Sequence, residues 1–207
     1  MTRNRPKALM DIQGEPAITH VIRQLAGQGI RQIVVNTHHH ADILMAYLGN
    51  GSRFGVNIVF SQENELLNSG GGVRTALEKL SGEGLVLVHN ADVLADVDVQ
   101  SLAKRCSDGG CALALVTNPV HHPEGDFAIK NGLVNLQGQP RHTFSGVSIW
   151  YDNVLNEYPK NTSFSLLEPM KNMMEKQRCT GLLHRGKWFD IGRPRDVVRA
   201  NREWVTL

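Results

Sequence analysis

Four short segments carry side chains suited to phosphate chemistry. Asn90-Ala91-Asp92 follows directly on the apolar run 85–88. Ligands in open parallel sheets sit beyond the carboxyl ends of the strands, so a carboxylate there is placed to hold a magnesium ion on substrate phosphates. The same aspartate could equally cap a turn or a helix. Asp190, in Trp188-Phe189-Asp190-Ile191-Gly192, is a second acid in an otherwise apolar stretch. It completes a divalent-metal site if the fold brings it to Asp92, and otherwise caps the last helix. Ser69-Gly70-Gly71-Gly72 lets backbone approach a ligand closely ahead of a helix whose N-terminus favours anions, or is plain loop. It fits neither the Walker A pattern nor the dinucleotide fingerprint. In Arg5-Pro6-Lys7 a lysine can neutralise phosphate as a point charge, or belong to a solvated basic start.

The histidines and cysteines offer less. His38-His39-His40 has no companion carboxylate or cysteine cluster and reads as structural. His121-His122-Pro123-Glu124-Gly125-Asp126 sits where the chain's pattern changes and suits a substrate-facing loop. Cys106, Cys111 and Cys179 fit no zinc spacing and read as reduced thiols of a cytoplasmic protein, with Cys111 packed in a strand.

The elements that must position these residues alternate. Ile18, Val21, Ile22 and Leu25 repeat at helical spacing and stop at Gly27 to Gly29. Strands are expected at 33–35, 56–60, 84–88 and 111–116, and helices at 42–48, 73–80 and 99–106. The uninterrupted run 84–88 predicts cover on both faces. This alternation argues for an α/β fold, a mostly parallel Rossmann-like sheet sandwiched by helices. After Asn118 the pattern turns antiparallel. Asn131-Gly132 marks a hairpin between 127–129 and 133–136, and a strand over 143–150 follows. Helices are expected at 165–176, with Pro169 in the first turn or at a kink, and at 193–204.

Composition is that of one ordinary globular domain: 207 residues, 41% hydrophobic, 20% charged, net charge +2. No apolar run is long enough to span a bilayer, and the charge is too mild to indicate nucleic acid. The expected partners are therefore small molecules, with no membrane and no nucleic acid. No apolar strand or signal-peptide core precedes the first helix.

Taken in order, these segments resemble the sugar-1-phosphate nucleotidylyltransferases over essentially the whole chain. Arg5-Pro6-Lys7-Ala8-Leu9 resembles the family's Pro-Lys-Pro-Leu segment, and Gly14-Glu15-Pro16 its turn before the first long helix. The stretch 49–55, Ser69 to Gly72, Asn90-Ala91-Asp92, Phe144-Ser145-Gly146 and Phe189-Asp190-Ile191-Gly192 complete the set. Gly125-Asp126 and Thr143-Phe144-Ser145-Gly146 look most like the N-acetylmuramate-1-phosphate uridylyltransferases, with mannose-1-phosphate guanylyltransferases as the alternative.

The resemblance implies a nucleotide-diphospho-sugar transferase fold with a small antiparallel extension and a magnesium-dependent exchange of pyrophosphate for sugar phosphate, UTP favoured. It implies that Lys7 contacts phosphates and that Gly70 and Gly71 lie against the nucleoside. Asp92 and Asp190 would hold Mg2+, and Asn90, Asp126 and Gly146 would face the sugar. It also implies a single domain over 1–207, truncated relative to the family, whose pattern opens with an apolar strand and a glycine-rich phosphate loop. Without that strand both of its neighbours are expected to carry unpaired backbone groups. An inactive sugar-nucleotide-binding module, or a subunit pairing through those edges, is the expectation of another class; a homodimer is a further candidate assembly.

Overall fold

The computed structural model describes residues 6–204, so Arg5 lies outside the described residues. A 3-10 turn over Lys7–Leu9 leads into a ribbon of β1 (Asp11–Ile12) and β2 (Glu15–Pro16). Pro16, extended at φ −57° and ψ 141°, hands the chain to α1 (Ala17–Gly27), whose Ile18, Val21, Ile22 and Leu25 are all buried. There follow β3 (Gln32–Thr37), α2 (Ala41–Leu48), β4 (Asn57–Gln62), α3 (Asn68–Ala76), β5 (Leu85–His89), β6 (Val93–Ala95) and α4 (Val99–Ala103). The second half contains β7 (Cys111–Val116), β8 (Phe127–Lys130), β9 (Leu133–Asn135), β10 (Arg141–Tyr151) and α5 (Asp152–Asn156). The chain closes with α6 (Leu167–Glu175), β11 (Cys179–Leu183), β12 (Trp188–Asp190) and α7 (Pro194–Glu203).

The α/β character holds, but the mostly parallel sheet does not. The largest sheet has the order β5-β10-β7-β11-β9-β8, and β8 also pairs with the start of β10. Strands β10, β7, β11, β9 and β8 thereby close into a ring. Strand β10 can serve both ends because its register to β7 shifts between Phe144 and Ser148, a bulge that bends it. Among the described residues only β7–β11 and β3–β4 pair in parallel. The reason is that β10 inserts between β5 and β7, antiparallel to both, and the hairpin β8–β9 adds another antiparallel pair. The hairpin turn is the one Asn-Gly predicts, with φ +52° at Asn131 and +80° at Gly132.

Two further expectations are corrected. Strand β5 is not covered on both faces: Leu85 is 46% exposed and the rest of the strand is half-buried. Its free edge does not bond to β3, and a cleft of about 900 Å3 lies between the two strands. An apolar run reports what a strand is able to bury, not whether a neighbour covers it. The helix expected from Val73 begins at Asn68, so the three glycines lie inside α3. Glu63, past the end of β4, accepts the Leu67 backbone N–H at 2.9 Å and so fixes the residue from which the helix starts.

Cys111 and Cys179 are register partners across β7 and β11 and are fully buried. Their mutual hydrogen bond and burial push the Cys111 thiol up, and burial pushes Cys106 to about 11. The thiolate is the reactive species, so the folded protein should react with iodoacetamide at pH 8 on the order of a hundredfold more slowly than ordinary thiols. Alkylation followed by mass spectrometry, native against urea-unfolded, checks this; equal rates in the two states would contradict it.

Candidate active site

The site is assembled at the carboxyl end of β5. After His89 the chain turns through Asn90-Ala91-Asp92, closed by Val93 N–H donating to the Asn90 carbonyl at 3.2 Å. Strand β6 then pairs antiparallel with β12, matching Val93 to Asp190. Ile191 N–H donates to the Asp92 carbonyl at 2.8 Å. This short ladder fixes the two aspartates side by side although they lie far apart in sequence. Its core supports it: Leu94, Ile191 and Phe189 are at most 3% exposed.

Lys7 arrives from the 3-10 turn, which is anchored by buried Ala8 and Leu9 and by Met10 N–H donating to the Lys7 carbonyl at 2.9 Å. Its Nζ stands 4.0 Å from Asp92 Oδ2, and both side chains remain partly exposed. Burial and the neighbouring charge of Asp190 push the Asp92 carboxyl up, and Lys7 partly opposes them. Asp190 Oδ1 accepts the Gly192 backbone N–H at 2.9 Å, which orients that carboxylate. Lys7, Asp92 and Asp190 thus lie near one another at this strand end.

Among the described residues no group of three or more His, Cys, Asp or Glu side chains has metal-holding geometry. The pair Asp92–Asp190 nevertheless fits magnesium, a hard cation that takes one or two carboxylates and completes its shell with water and substrate phosphates. The mutual repulsion felt at Asp92 is what such an ion would relieve.

Asn90 sits exposed beside this group, its backbone N–H donating to the Gly146 carbonyl at 2.9 Å. Gly146 lies in the β10 bulge at φ +86°, and a Cβ there would stand 2.8 Å from Asn90 Nδ2. Asp126 lies further along, half-exposed, with both oxygens engaged: Oδ2 accepts Phe144 N–H at 2.7 Å and Oδ1 pairs with His122 Nε2 at 3.0 Å. It braces the loop 118–126 at least as much as it faces solvent.

Gly70 and Gly71 do not form an open loop. Both backbone N–H groups donate to the Phe164 carbonyl, at 2.9 and 3.2 Å. A Cβ on Gly70 would lie 2.4 Å from the Phe164 ring, and one on Gly71 2.1 Å from the Thr162 carbonyl oxygen. The missing side chains let α3 pack against the segment 162–164. Ser69, one residue earlier, does line the cleft together with His89 and Asn90.

Three residues of the framework escaped the sequence reading. Glu63 is buried, takes a 2.6 Å hydrogen bond from Asn36 Nδ2 and holds the Leu67 backbone N–H just ahead of α3. Asn118 holds the Pro123 and Arg141 carbonyls and the Thr143 hydroxyl, while Arg141 donates to the Asp126 carbonyl at 2.6 Å. A lone acid or amide just past an apolar strand was the available signal, and it is shared with ordinary turns. His38 turns its Nδ1 to the Glu63 carbonyl at 3.0 Å, a structural use of the histidine tract.

A lysine and two aspartates thus converge past a strand end of a helix-flanked sheet. The chain belongs to the nucleotidyl transferase family, whose model matches residues 1–206. It is 32% identical over 200 residues to N-acetylmuramate alpha-1-phosphate uridylyltransferase of Neisseria meningitidis, covering 93% of this chain and 86% of that one. The enzyme of the same name from Caulobacter vibrioides is 32% identical over 216 residues, covering 97% and 88%. Mannose-1-phosphate guanylyltransferase of Mycobacterium tuberculosis is 26% identical, covering 99% of this chain and 60% of that one. The crystal structure of HddC from Yersinia pseudotuberculosis has the same fold, with a TM-score of 0.81, 21% identity and coverage of 99% and 92%. The relatives in this family are sugar-1-phosphate nucleotidyltransferases, an enzyme class. Among the described residues no helix is long and apolar enough to cross a membrane.

Proposed function

We propose that this chain transfers a uridylyl group from UTP to a sugar 1-phosphate, with N-acetylmuramate 1-phosphate as the substrate, releasing pyrophosphate. The convergence of Lys7, Asp92 and Asp190 carries the chemistry. The 32% identity to two uridylyltransferases supports the choice of base and sugar over GTP and mannose 1-phosphate.

An oxygen of the sugar phosphate attacks the α-phosphorus of the nucleotide. A new P–O bond forms, the bond to the oxygen bridging to the β-phosphorus breaks, and pyrophosphate leaves with the electron pair. A phosphate monoester, with a second pKa of about 6, is already largely ionised at neutral pH, so no general base is needed. Lys7 supplies a mobile point charge to the phosphates. Asp92 and Asp190 would hold the magnesium ion, which when bound neutralises phosphate charge and polarises a phosphoryl oxygen. Asn90, held beside Gly146, offers its amide to sugar hydroxyls. Asp126 keeps the loop 118–126 in place at the sugar end. Gly70 and Gly71 act by holding α3 tight, which leaves Ser69 to approach the nucleoside. Positioning and charge account for the rate, with no covalent step on the protein.

The test is pyrophosphate release from a panel of nucleotides and sugar phosphates with Mg2+. UTP with N-acetylmuramate 1-phosphate should exceed every other pair by at least tenfold. Preference for GTP with mannose 1-phosphate would replace the substrate assignment. Binding of a UDP-sugar without release from any pair would instead make the chain a sugar-nucleotide-binding module.

A further inference from the structure

A second cavity, of about 720 Å3, lies between the loop after β7, the connection from β11 to β12 and the helix α7. Strands β5, β7 and β11 all run in one direction, because β5 and β7 are both antiparallel to β10 and β11 is parallel to β7. The cavity therefore opens at the same end of the sheet as Asn90-Ala91-Asp92. Its walls continue into the site. Phe189, in one wall, is the residue before Asp190, and the loop that carries His121 in another wall runs on to Asp126. Arg193, Arg195 and Asp190 are near enough to His121 for their charges to act on its ring. The charge in this cavity is one-sided. Both acids of its lining are already taken: Arg193 Nε pairs with Asp196 Oδ2 and Arg199 Nε with Glu203 Oε2, each at 3.1 Å. Arg185, Lys187 and Arg195 line the same cavity, are exposed, and make no ion pair among the described residues. Val120 stands with them, 92% exposed. Uncompensated cations gathered in a concavity raise the local concentration of anions.

The sugar of the proposed reaction carries a group that matches this lining. N-acetylmuramate bears an ether-linked lactyl group, a carboxylate with a methyl beside it, which N-acetylglucosamine and mannose lack. In that reaction Lys7 and the magnesium ion serve the phosphates, so a second negative charge on the sugar needs a cation of its own. We propose that Arg195, backed by Arg185 and Lys187, binds the lactyl carboxylate and that Val120 covers its methyl group, so that this cavity selects the sugar. The inference rests on the substrate assignment made above. A guanidinium suits the task because its planar fork meets both oxygens of a carboxylate at once, and a lysine adds a mobile point charge. One such charge-assisted contact is worth roughly 10–100-fold in affinity. All three cations are exposed, so replacing them leaves the fold intact.

The test compares kcat/KM of the full chain, with UTP and Mg2+, for N-acetylmuramate 1-phosphate, the methyl ester of its lactyl carboxylate and N-acetylglucosamine 1-phosphate. Calorimetric binding of the same three ligands gives the same comparison without turnover. The parent should prefer the free acid to both others by about tenfold or more. In the double variant Arg195→Gln/Lys187→Gln that preference should fall to about threefold or less, through KM rather than kcat. Arg195→Lys alone, which keeps the charge, should retain most of the preference, as a merely structural role would not require. A double variant with the parent's preference would overturn the proposal. So would an equal loss for all three ligands, which would assign the cations to the phosphate they share. A parent that treats the acid and its ester alike would also overturn it while leaving uridylyl transfer standing. Failure of the substrate assignment looks different: the parent then turns over mannose 1-phosphate with GTP in preference to N-acetylmuramate 1-phosphate, and the lactyl site falls with it.

Discussion

Asp92→Asn is expected to lower turnover at least a hundredfold while leaving the protein no less stable than the parent. In the proposed reaction the aspartate would contribute one of the two carboxylates at the phosphates, and Lys7 Nζ stands 4.0 Å away. Removing one well-placed electrostatic group from a site that works by charge stabilisation costs about 10²–10³ in rate. Stability should move the other way. Burial and Asp190 raise the Asp92 pKa in the folded state above its unfolded value. Stability from this group is present below the unfolded pKa and is lost as pH rises through the folded one, so the ionised carboxylate opposes folding at neutral pH. An isosteric amide relieves that opposition. Asp190→Asn should lose a similar factor in turnover. Steady-state pyrophosphate release together with thermal melts separates the two effects. Retained turnover in both variants would remove the metal assignment, and lost turnover with a much lower melting temperature would make Asp92 structural.

Gly71→Ala should destabilise the protein more than the same change at Gly70 or Gly72. The added Cβ would sit 2.1 Å from the Thr162 carbonyl oxygen, a backbone atom in a segment already held by Gly70 and Gly71 donating to Phe164. At Gly70 the nearest atoms are those of the Phe164 ring, with its carbonyl oxygen at 2.9 Å, and at Gly72 they belong to the side chains of Asn36 and Glu63, so the closest approach to fixed backbone is at Gly71. At Gly71 neither side can yield without breaking the backbone bonds. Overpacking of this kind costs about 1–3 kcal/mol or more. For a chain of this length each kcal/mol moves the melting temperature by about 2–4 °C, so a fall of about 5–10 °C is expected. Gly27→Ala is the matched control. It lies at the end of α1, where a Cβ meets nothing within 4 Å, and should melt at the parent's temperature or slightly above it. If Gly71→Ala and Gly27→Ala melt alike, α3 does not pack on 162–164 as described.

Much of the fold was legible because local signals were strong. The 3.6-residue repeat of Ile18, Val21, Ile22 and Leu25 marked α1, and Asn131-Gly132 marked the β8–β9 turn. The apolar run of β7 reads as buried and is buried throughout. The parallel sheet was misread because strand direction is set by long-range pairing, here the insertion of β10 between β5 and β7. The triple glycine looks like loop chemistry in isolation. Its role appears only when Phe164, Thr162, Asn36 and Glu63 are seen against it. The site was half legible. Asp92, Asp190 and Lys7 each stand out as candidates by residue type and place, with a bland alternative beside each, and the family resemblance is what joins them into one site. Strands β6 and β12, three residues each, are too short to leave a periodic signal, yet they bring the two aspartates together.

The central claim is that Asp92 and Asp190 jointly hold one divalent ion beside Lys7. A titration of Mn2+ followed by electron paramagnetic resonance, with UTP present, tests it most directly because it does not require turnover. One protein-dependent Mn2+ site is expected in the parent, weakened at least tenfold in Asp92→Asn and in Asp190→Asn and lost in the double variant. An unchanged Mn2+ site in the double variant would contradict the account.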